Sequence, residues 1–184
     1  MDWRAYLPAL VRSRIEVQFV PAERAAPVGG SKFGGRPDVP VDFIWPEFET
    51  DTLDDPERKL RPLAFLGQFA CAELAPLDGE GLLPPTGVLS FFYELGSQRW
   101  GFDPKDAGCA RVYWFDQGPL VPAEFPETLP EEHRLPELSA VLSQKEDAPD
   151  FLDACLALGH DWTANEYRAF DMARRMLNFP YPDN

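Results

Sequence analysis

The stretch Val88-Leu-Ser-Phe-Phe-Tyr-Glu-Leu95 gives the clearest strand signal in the chain. Its valine and aromatic residues favour strands, and turn residues bound it, with Gly87 before it and Gly96-Ser97 after it. Two other runs have a similar character. Leu63-Ala-Phe-Leu-Gly-Gln-Phe69 is typical of a buried strand, and Ala110-Arg-Val-Tyr-Trp-Phe115 alternates between two faces. These three runs predict a β-sheet in the middle of the chain.

Helical patterns precede and follow these strands in the sequence. Apolar residues recur at helical spacing from Trp3 to Val11. Residues 149–158 form a second helical segment between a proline and a glycine. Thr163-Ala-Asn-Glu166 matches a capping box and predicts a third helix through about Leu177.

The fold class follows from this order of elements. Ile15, Val17 and Phe19 alternate with polar residues and predict one more strand near the N-terminus. The 20 prolines argue against a bundle of long helices. We therefore predict an α+β fold with a mostly antiparallel sheet and helices at the N-terminus and the C-terminus. At 184 residues, the chain is predicted to form a single domain over residues 1–184.

Composition excludes several classes of function. Lys and Arg number 17 and Asp and Glu number 31, which gives a net charge of −14 that repels a phosphate backbone. No apolar run approaches the roughly 18 residues that a membrane span needs. The three widely spaced cysteines form neither a disulfide framework nor a zinc motif. We expect a cytoplasmic protein with buried thiols, no metal, no cofactor, no nucleic-acid partner and no membrane partner.

The charge is unevenly distributed along the chain. Residues 121–153 hold nine acids and two bases, whereas residues 1–40 hold four acids and six bases. The acidic segment is either a solvated face or a docking surface for a basic protein. For the second interpretation, the predicted partner-binding residues are Glu127, Glu131, Glu132 and Glu137.

The glycine-rich segment Gly29-Gly-Ser-Lys-Phe-Gly-Gly-Arg36 suggests an anion site, in which backbone amides join Lys32 and Arg36. However, Pro37 and Pro40 follow, so no helix begins there as a P-loop requires. The preferred interpretation is a structural loop whose glycines adopt positive φ. A binding loop that uses Lys32 and Arg36 is the alternative.

No catalytic constellation is recognisable. His133 and His160 have no nucleophile at a diagnostic spacing, and both are interpreted as surface residues. Gln68 lies in an apolar run and must be hydrogen-bonded. The preferred interpretation is a hydrogen bond to the backbone of a loop such as residues 31–37, and a ligand contact is the alternative. Trp100 and Trp114 are interpreted as core residues, with an aromatic ligand floor as the alternative.

An ordered set of motifs resembles the YwqG-like family of bacterial domains of unknown function. The set comprises Ser31-Lys-Phe-Gly-Gly-x-Pro37, Pro40, Trp45-Pro46, Pro62-Leu-x-Phe-Leu-x-Gln68, Leu83-Pro-x-x-Gly-x-Leu-x-Phe-Phe-Tyr93, Trp100-Gly101 and Arg111-Val112. The resemblance covers roughly residues 28–121. It implies a small cytoplasmic α+β protein without an established activity, and some relatives occur near polymorphic-toxin genes. The family usually continues into a second half, so this chain is expected to be a short member or to lack that half.

Two functions follow as hypotheses. The first is a non-enzymatic protein-binding module, such as an immunity protein that masks a basic toxin with its acidic face. The second is a small-molecule or anion-binding domain, or an enzyme of unrecognised type, that uses Lys32, Arg36 and Gln68. The charge distribution and the missing catalytic motif favour the first.

Overall fold

The computed structural model describes residues 1–116, 118–161 and 163–179, apart from the side chain of Ala164. Its strands are β1 (Arg12–Pro21), β2 (Lys32–Phe33), β3 (Asp38–Pro40), β4 (Glu47–Thr50), β5 (Lys59–Pro62), β6 (Ala64–Ala70), β7 (Val88–Tyr93), β8 (Ala110–Phe115), β9 (Leu120–Pro122) and β10 (Leu138–Asp147). Its α-helices are α1 (Trp3–Leu10), α2 (Cys71–Leu74), α3 (Phe151–Ala157) and α4 (Ala164–Met176). Single turns of 3₁₀-helix lie at Ala75–Leu77, Pro104–Asp106 and Glu131–His133.

Six of these strands form one sheet in the order β1-β10-β2-β6-β7-β8. The pairings β10–β2, β2–β6, β6–β7 and β7–β8 are all antiparallel. Two smaller antiparallel pairs, β3–β9 and β4–β5, complete the strands. Helices lie near both ends of the chain, so the predicted α+β fold is confirmed.

The chain divides into two compact units, and the larger comprises Val17–Leu77 and Gly81–Leu142. Alternation along β7 buries Val88, Ser90 and Phe92. Phe92 forms the core with Leu63 and Phe65, and partly buried aromatic side chains pack around these three: Phe43, Trp45, Phe48 and Tyr113. Such rings supply most of the apolar area that a sheet needs to bury.

The smaller unit comprises Met1–Glu16, Asp78–Glu80 and the residues from Ser143 onward. Trp3 forms its centre and makes an edge contact with Phe170, with a distance of 5.2 Å between ring centroids. The predicted capping box of α4 is confirmed, because the Thr163 hydroxyl accepts a hydrogen bond from the Glu166 amide.

Within the described residues, no helix is long and apolar enough to cross a membrane.

Two parts of the chain differ from the prediction. The sequence pattern indicated no strand in residues 21–62, yet they contain the four short strands β2 to β5. The ten-residue strand β10 was not predicted from the sequence, and in the structure its residues show no regular alternation of buried and exposed positions. Pairing with neighbouring strands, rather than local propensity, fixes these segments as strands.

The expectation that Trp100 and Trp114 lie in the core is wrong. Trp100 is 84% exposed in the loop between β7 and β8. Trp114 is 50% exposed, because it lies on the outer face of β8, at the edge of the sheet.

Candidate functional site

The glycine-rich loop is fastened to the strand that follows it in the sheet. Lys32 and Phe33 pair with Gln68 and Gly67 of β6. Gly34 has a φ of +63° and donates its amide hydrogen to the carbonyl oxygen of Leu66, at 2.8 Å. The predicted positive φ is confirmed at Gly34, where a side chain would collide with the backbone of the segment before β10.

A buried polar network closes this loop. Gln68 has no exposed surface, and its amide oxygen accepts from the Asp38 backbone N–H at 2.8 Å. Its amide nitrogen donates to the Gly30 carbonyl at 2.9 Å and to the Asp38 carboxylate at 2.7 Å. The preferred interpretation of Gln68, a hydrogen bond to the loop backbone, is confirmed at the two residues that flank positions 31–37.

The same carboxylate binds Lys32. The Lys32 ammonium lies 3.1 Å from the Asp38 carboxylate, and the two residues are 4% and 1% exposed. The Gly29 amide donates to the same carboxylate oxygen at 3.0 Å. A ligand at Lys32 must therefore compete with a buried ion pair whose carboxylate also accepts hydrogen bonds from Gly29 and Gln68.

The other predicted site residues are placed as follows. Glu137 lies 4.0 Å from the Lys32 ammonium and accepts from the Ala26 amide at 2.8 Å, so it belongs to the loop network. Arg36 is exposed and pairs with the exposed Glu124. The structure thus brings Lys32, Gln68 and Glu137 together, while Arg36 has a separate partner.

Glu127, Glu131 and Glu132 are exposed, and within the described residues none of their carboxylates has a hydrogen bond or an ion pair. The segment that carries them is closed by its own hydrogen bonds and anchored by one buried side chain. Arg134 donates to the Leu129 carbonyl at 3.1 and 2.8 Å, and the Leu129 side chain is buried. These three carboxylates therefore face solvent from an ordered segment.

A cleft of about 540 Å³ opens beside this acidic segment. The loop and strand of residues 52–62 form one wall, the turn after β7 forms another, and residues 128–133 form the third. Its volume lies in the range of small-ligand sites, roughly 300–1,000 Å³. His133, interpreted from sequence as a surface residue, is half-buried in this cleft.

The two cations of the cleft share a single carboxylate partner. Lys59 and Arg61 lie 2.7 and 3.0 Å from the same carboxylate oxygen of Asp55. Hydrogen bonds from Lys59, Arg61 and the Glu57 amide hold the pKa of Asp55 well below its ordinary value. The triad therefore keeps a net charge of +1, which is outweighed by the three other acids that line the cleft, Asp54, Glu94 and Glu132.

The buried carboxylate of the cleft is also committed. Glu94 is 2% exposed and accepts from the amides of Gly96 and Ser97, at 3.1 and 2.7 Å, so it holds the turn after β7. The side chains of Asp54 and Glu132 have no such partner among the described residues. The unpaired charge in the cleft is therefore negative, so the cleft is suited to bind a cationic group.

The cysteines are buried and the metal-ligating side chains of the described residues are dispersed. Cys71, Cys109 and Cys155 are buried as free thiols, and burial raises the pKa of each. Within residues 1–116, 118–161 and 163–179, no three His, Cys, Asp or Glu side chains are grouped to hold a metal ion. His160 bonds Glu166 at 2.6 Å, and this bond lowers the Glu166 pKa.

Sequence reasoning missed Asp38, which is the centre of the loop network, and it missed the cleft. Asp38 follows the glycine-rich segment by two residues, but nothing in the sequence indicates that it meets Lys32 and Gln68. The walls of the cleft come from three distant segments, so no local pattern could have revealed it.

Comparison with known families gives one match. A family model described as a domain of unknown function (DUF1963) matches residues 31–175. No curated protein matches the chain.

Proposed function

The chain belongs to the domain-of-unknown-function family DUF1963, and we propose that it is a non-enzymatic protein-binding module for a basic partner. The observation that supports this function is the set of free, exposed carboxylates on an ordered segment, namely Glu127, Glu131 and Glu132. An ordered acidic surface loses little conformational entropy when a partner binds, because its backbone is already fixed.

The adjoining cleft supplies an anchor point for one side chain of the partner. Asp54 and Glu132 stand at the cleft without internal partners, whereas the cations Lys59 and Arg61 are held by Asp55. An arginine or lysine of the partner would meet uncompensated negative charge there. The net charge of −14 would also accelerate its approach.

The finer assignments belong to the same proposal. The loop motifs favour the YwqG-like group, and a toxin with a basic surface is the partner that its relatives' gene neighbourhoods suggest. The three unpaired thiols favour a reducing cytoplasm. We propose no cofactor, no nucleic-acid partner and no membrane partner, since the acidic surface repels polyanions.

Co-purification with the products of adjacent genes tests the proposal, followed by kinetic binding measurements. Reversing Glu131 and Glu132 to lysine should weaken binding by about tenfold or more, mainly through the association rate, and more salt should weaken binding of the unaltered chain. The matched control reverses Glu23 and Glu73, which are exposed acids outside the segment and give the same change in net charge. Equal losses in both variants, or no complex at all, would refute this assignment.

The alternative function is an anion-binding domain that uses Lys32, Arg36 and Gln68. Its one supporting observation is the exposed position of Arg36, whose side chain is 50% exposed. A thermal-shift screen of phosphate, nucleotides and sugar phosphates tests it, with Arg36→Ala as the variant that leaves the buried network intact. A stabilising ligand that loses its effect in this variant would support the alternative, and a flat screen would contradict it.

A further inference from the structure

The edge strand β8 has few of the features that normally protect a sheet edge, since Arg111 is its single charged residue. Within the described residues β8 has one neighbour, β7, so about half of its backbone donors and acceptors have no strand partner there. Its six residues include no proline and no lysine, and its pairing with β7 is continuous. Lysine, proline and bulges are the usual means by which proteins block the addition of another strand.

The same strand exposes apolar side chains on one face. Val112 is 59% exposed and Trp114 is 50% exposed, and both project from the outer face of β8. Phe91 and Leu89 of β7 lie directly across from them and are only partly buried. An apolar strip that continues to an open edge is typical of an interaction surface.

We propose that β8 is a self-association edge, on which a second copy of this chain adds antiparallel to form a continuous sheet across a two-fold axis. The axis passes through Tyr113, which pairs with Tyr113 of the second copy. Residues directly opposite in antiparallel strands project to the same face. In this register Val112 of each copy lies opposite Trp114 of the other copy, on the same face of the joined sheet. The dimer therefore contains two Val112–Trp114 contacts, and each contact covers two exposed apolar side chains.

The scarcity of charge at this edge permits a second copy to approach. β7 and β8 contain a single ionisable charge, Arg111, in a chain of net charge −14. Two such chains repel each other, so they can associate only where acids are scarce. In the proposed register Arg111 faces Phe115 and Ala110 faces Asp116 of the second copy, so no like charges are opposed.

The contact is small, which sets its strength. About half of Trp114 remains to be covered, and an aromatic residue buries roughly 150–250 Å² in all. The six paired residues therefore stay below the roughly 800 Å² per partner of a standard interface, so the dimer is weak and depends on concentration. The dimer does not depend on the proposed basic partner. Added salt should strengthen the dimer, because it screens the repulsion between the two acidic copies, whereas it should weaken binding of the basic partner.

Sedimentation velocity of the intact chain, from about 5 to about 500 µM, measures the association. We expect a monomer–dimer equilibrium that tightens between about 0.05 and about 0.5 M NaCl. Val112→Lys should remove the dimer, although it makes the chain less negative. Val41→Lys, which adds the same charge at a residue that is 78% exposed outside β8, should leave the dimer unchanged. A monomer at all concentrations, or a dimer that survives Val112→Lys, overturns the proposal.

Cysteine cross-linking tests the register. With oxidised glutathione as the oxidant, a mixture of Val112→Cys and Trp114→Cys chains should form a disulfide-linked dimer, because opposed residues have Cα atoms about 4.5–5.5 Å apart. Each variant alone should not, because a two-residue offset along each strand separates the like positions by about 8 Å. The native cysteines are buried and serve as an internal control. Equal cross-linking in the single-variant samples would overturn the register.

Discussion

Replacing Gln68 with leucine tests whether the buried network holds the glycine-rich loop. The substitution removes three hydrogen bonds, which join Gln68 to the Asp38 amide, the Gly30 carbonyl and the Asp38 carboxylate. Leucine is similar in size, so the perturbation is mainly polar. The Asp38 carboxylate keeps Lys32 and the Gly29 amide as partners, but the two backbone groups lose their only side-chain partner.

The magnitude follows from the burial of these groups. Each buried backbone group without a hydrogen bond costs about 1–3 kcal/mol, and the lost bond to a charged acceptor adds about 1.5–3 kcal/mol. Because the three losses share one site and are not additive, we expect the free energy of unfolding to fall by about 4 kcal/mol. For a chain of this length, that lowers the melting temperature by about 8–16 °C.

Ser90→Ala is the matched control. Ser90 lies directly across from Gln68 on β7 and is also completely buried. Within the described residues its hydroxyl has no hydrogen-bond partner. Removing this hydroxyl should therefore leave stability unchanged or raise it by up to about 1 kcal/mol.

Urea and thermal unfolding at neutral pH measure both variants, and hydrogen exchange at the Asp38 amide reports on the loop itself. The Asp38 amide should lose its protection in Gln68→Leu and keep it in Ser90→Ala. A loss below about 1 kcal/mol in Gln68→Leu, or an equal loss in both variants, would show that the network does not hold the loop.

Three further predictions concern backbone, charge and thiols. Gly34→Ala should destabilise the protein by at least about 2 kcal/mol more than Gly101→Ala in urea unfolding, because both glycines have positive φ but only Gly34 lacks room for a Cβ. Asp55→Asn should lower the melting temperature by a constant amount near neutral pH, and this difference should shrink as the pH falls below about 4. The reason is that a carboxylate with a lowered pKa contributes stability that is lost when the carboxylate is protonated. A difference in melting temperature that does not vary with pH would contradict this. A thiol reagent should label the three cysteines only after denaturation, because all are buried and their pKa values are raised, and rapid labelling of the native chain would contradict this.

The two proposed interactions can be separated by salt. Binding of a basic partner at Glu131 and Glu132 should weaken as ionic strength rises, whereas self-association at β8 should strengthen. Variants of one surface should leave the other unaffected. A single salt series on the intact chain, with and without a partner, therefore distinguishes the failure of one proposal from the failure of the other.

The sequence by itself determined the elements whose pattern is local. The alternation and aromatic residues of Val88–Tyr93 and Ala110–Phe115 indicated β7 and β8, and Thr163 and Glu166 marked the start of α4. It also indicated that Gln68 must be hydrogen-bonded, because an amide within an apolar run cannot remain buried without partners. In these places short-range chemistry and the final fold agree.

Only the tertiary structure decided which residues meet. The strand β10, which was not predicted from the sequence, forms because its neighbours in the sheet supply its hydrogen bonds. From the sequence, Lys32 suggested an anion site. In the structure its ammonium forms an ion pair with Asp38, because strand pairing brings β2 beside Gln68, which also binds Asp38. The acidic cleft and the exposed Trp114 likewise depend on long-range pairing and on position within the sheet, which local propensity does not encode.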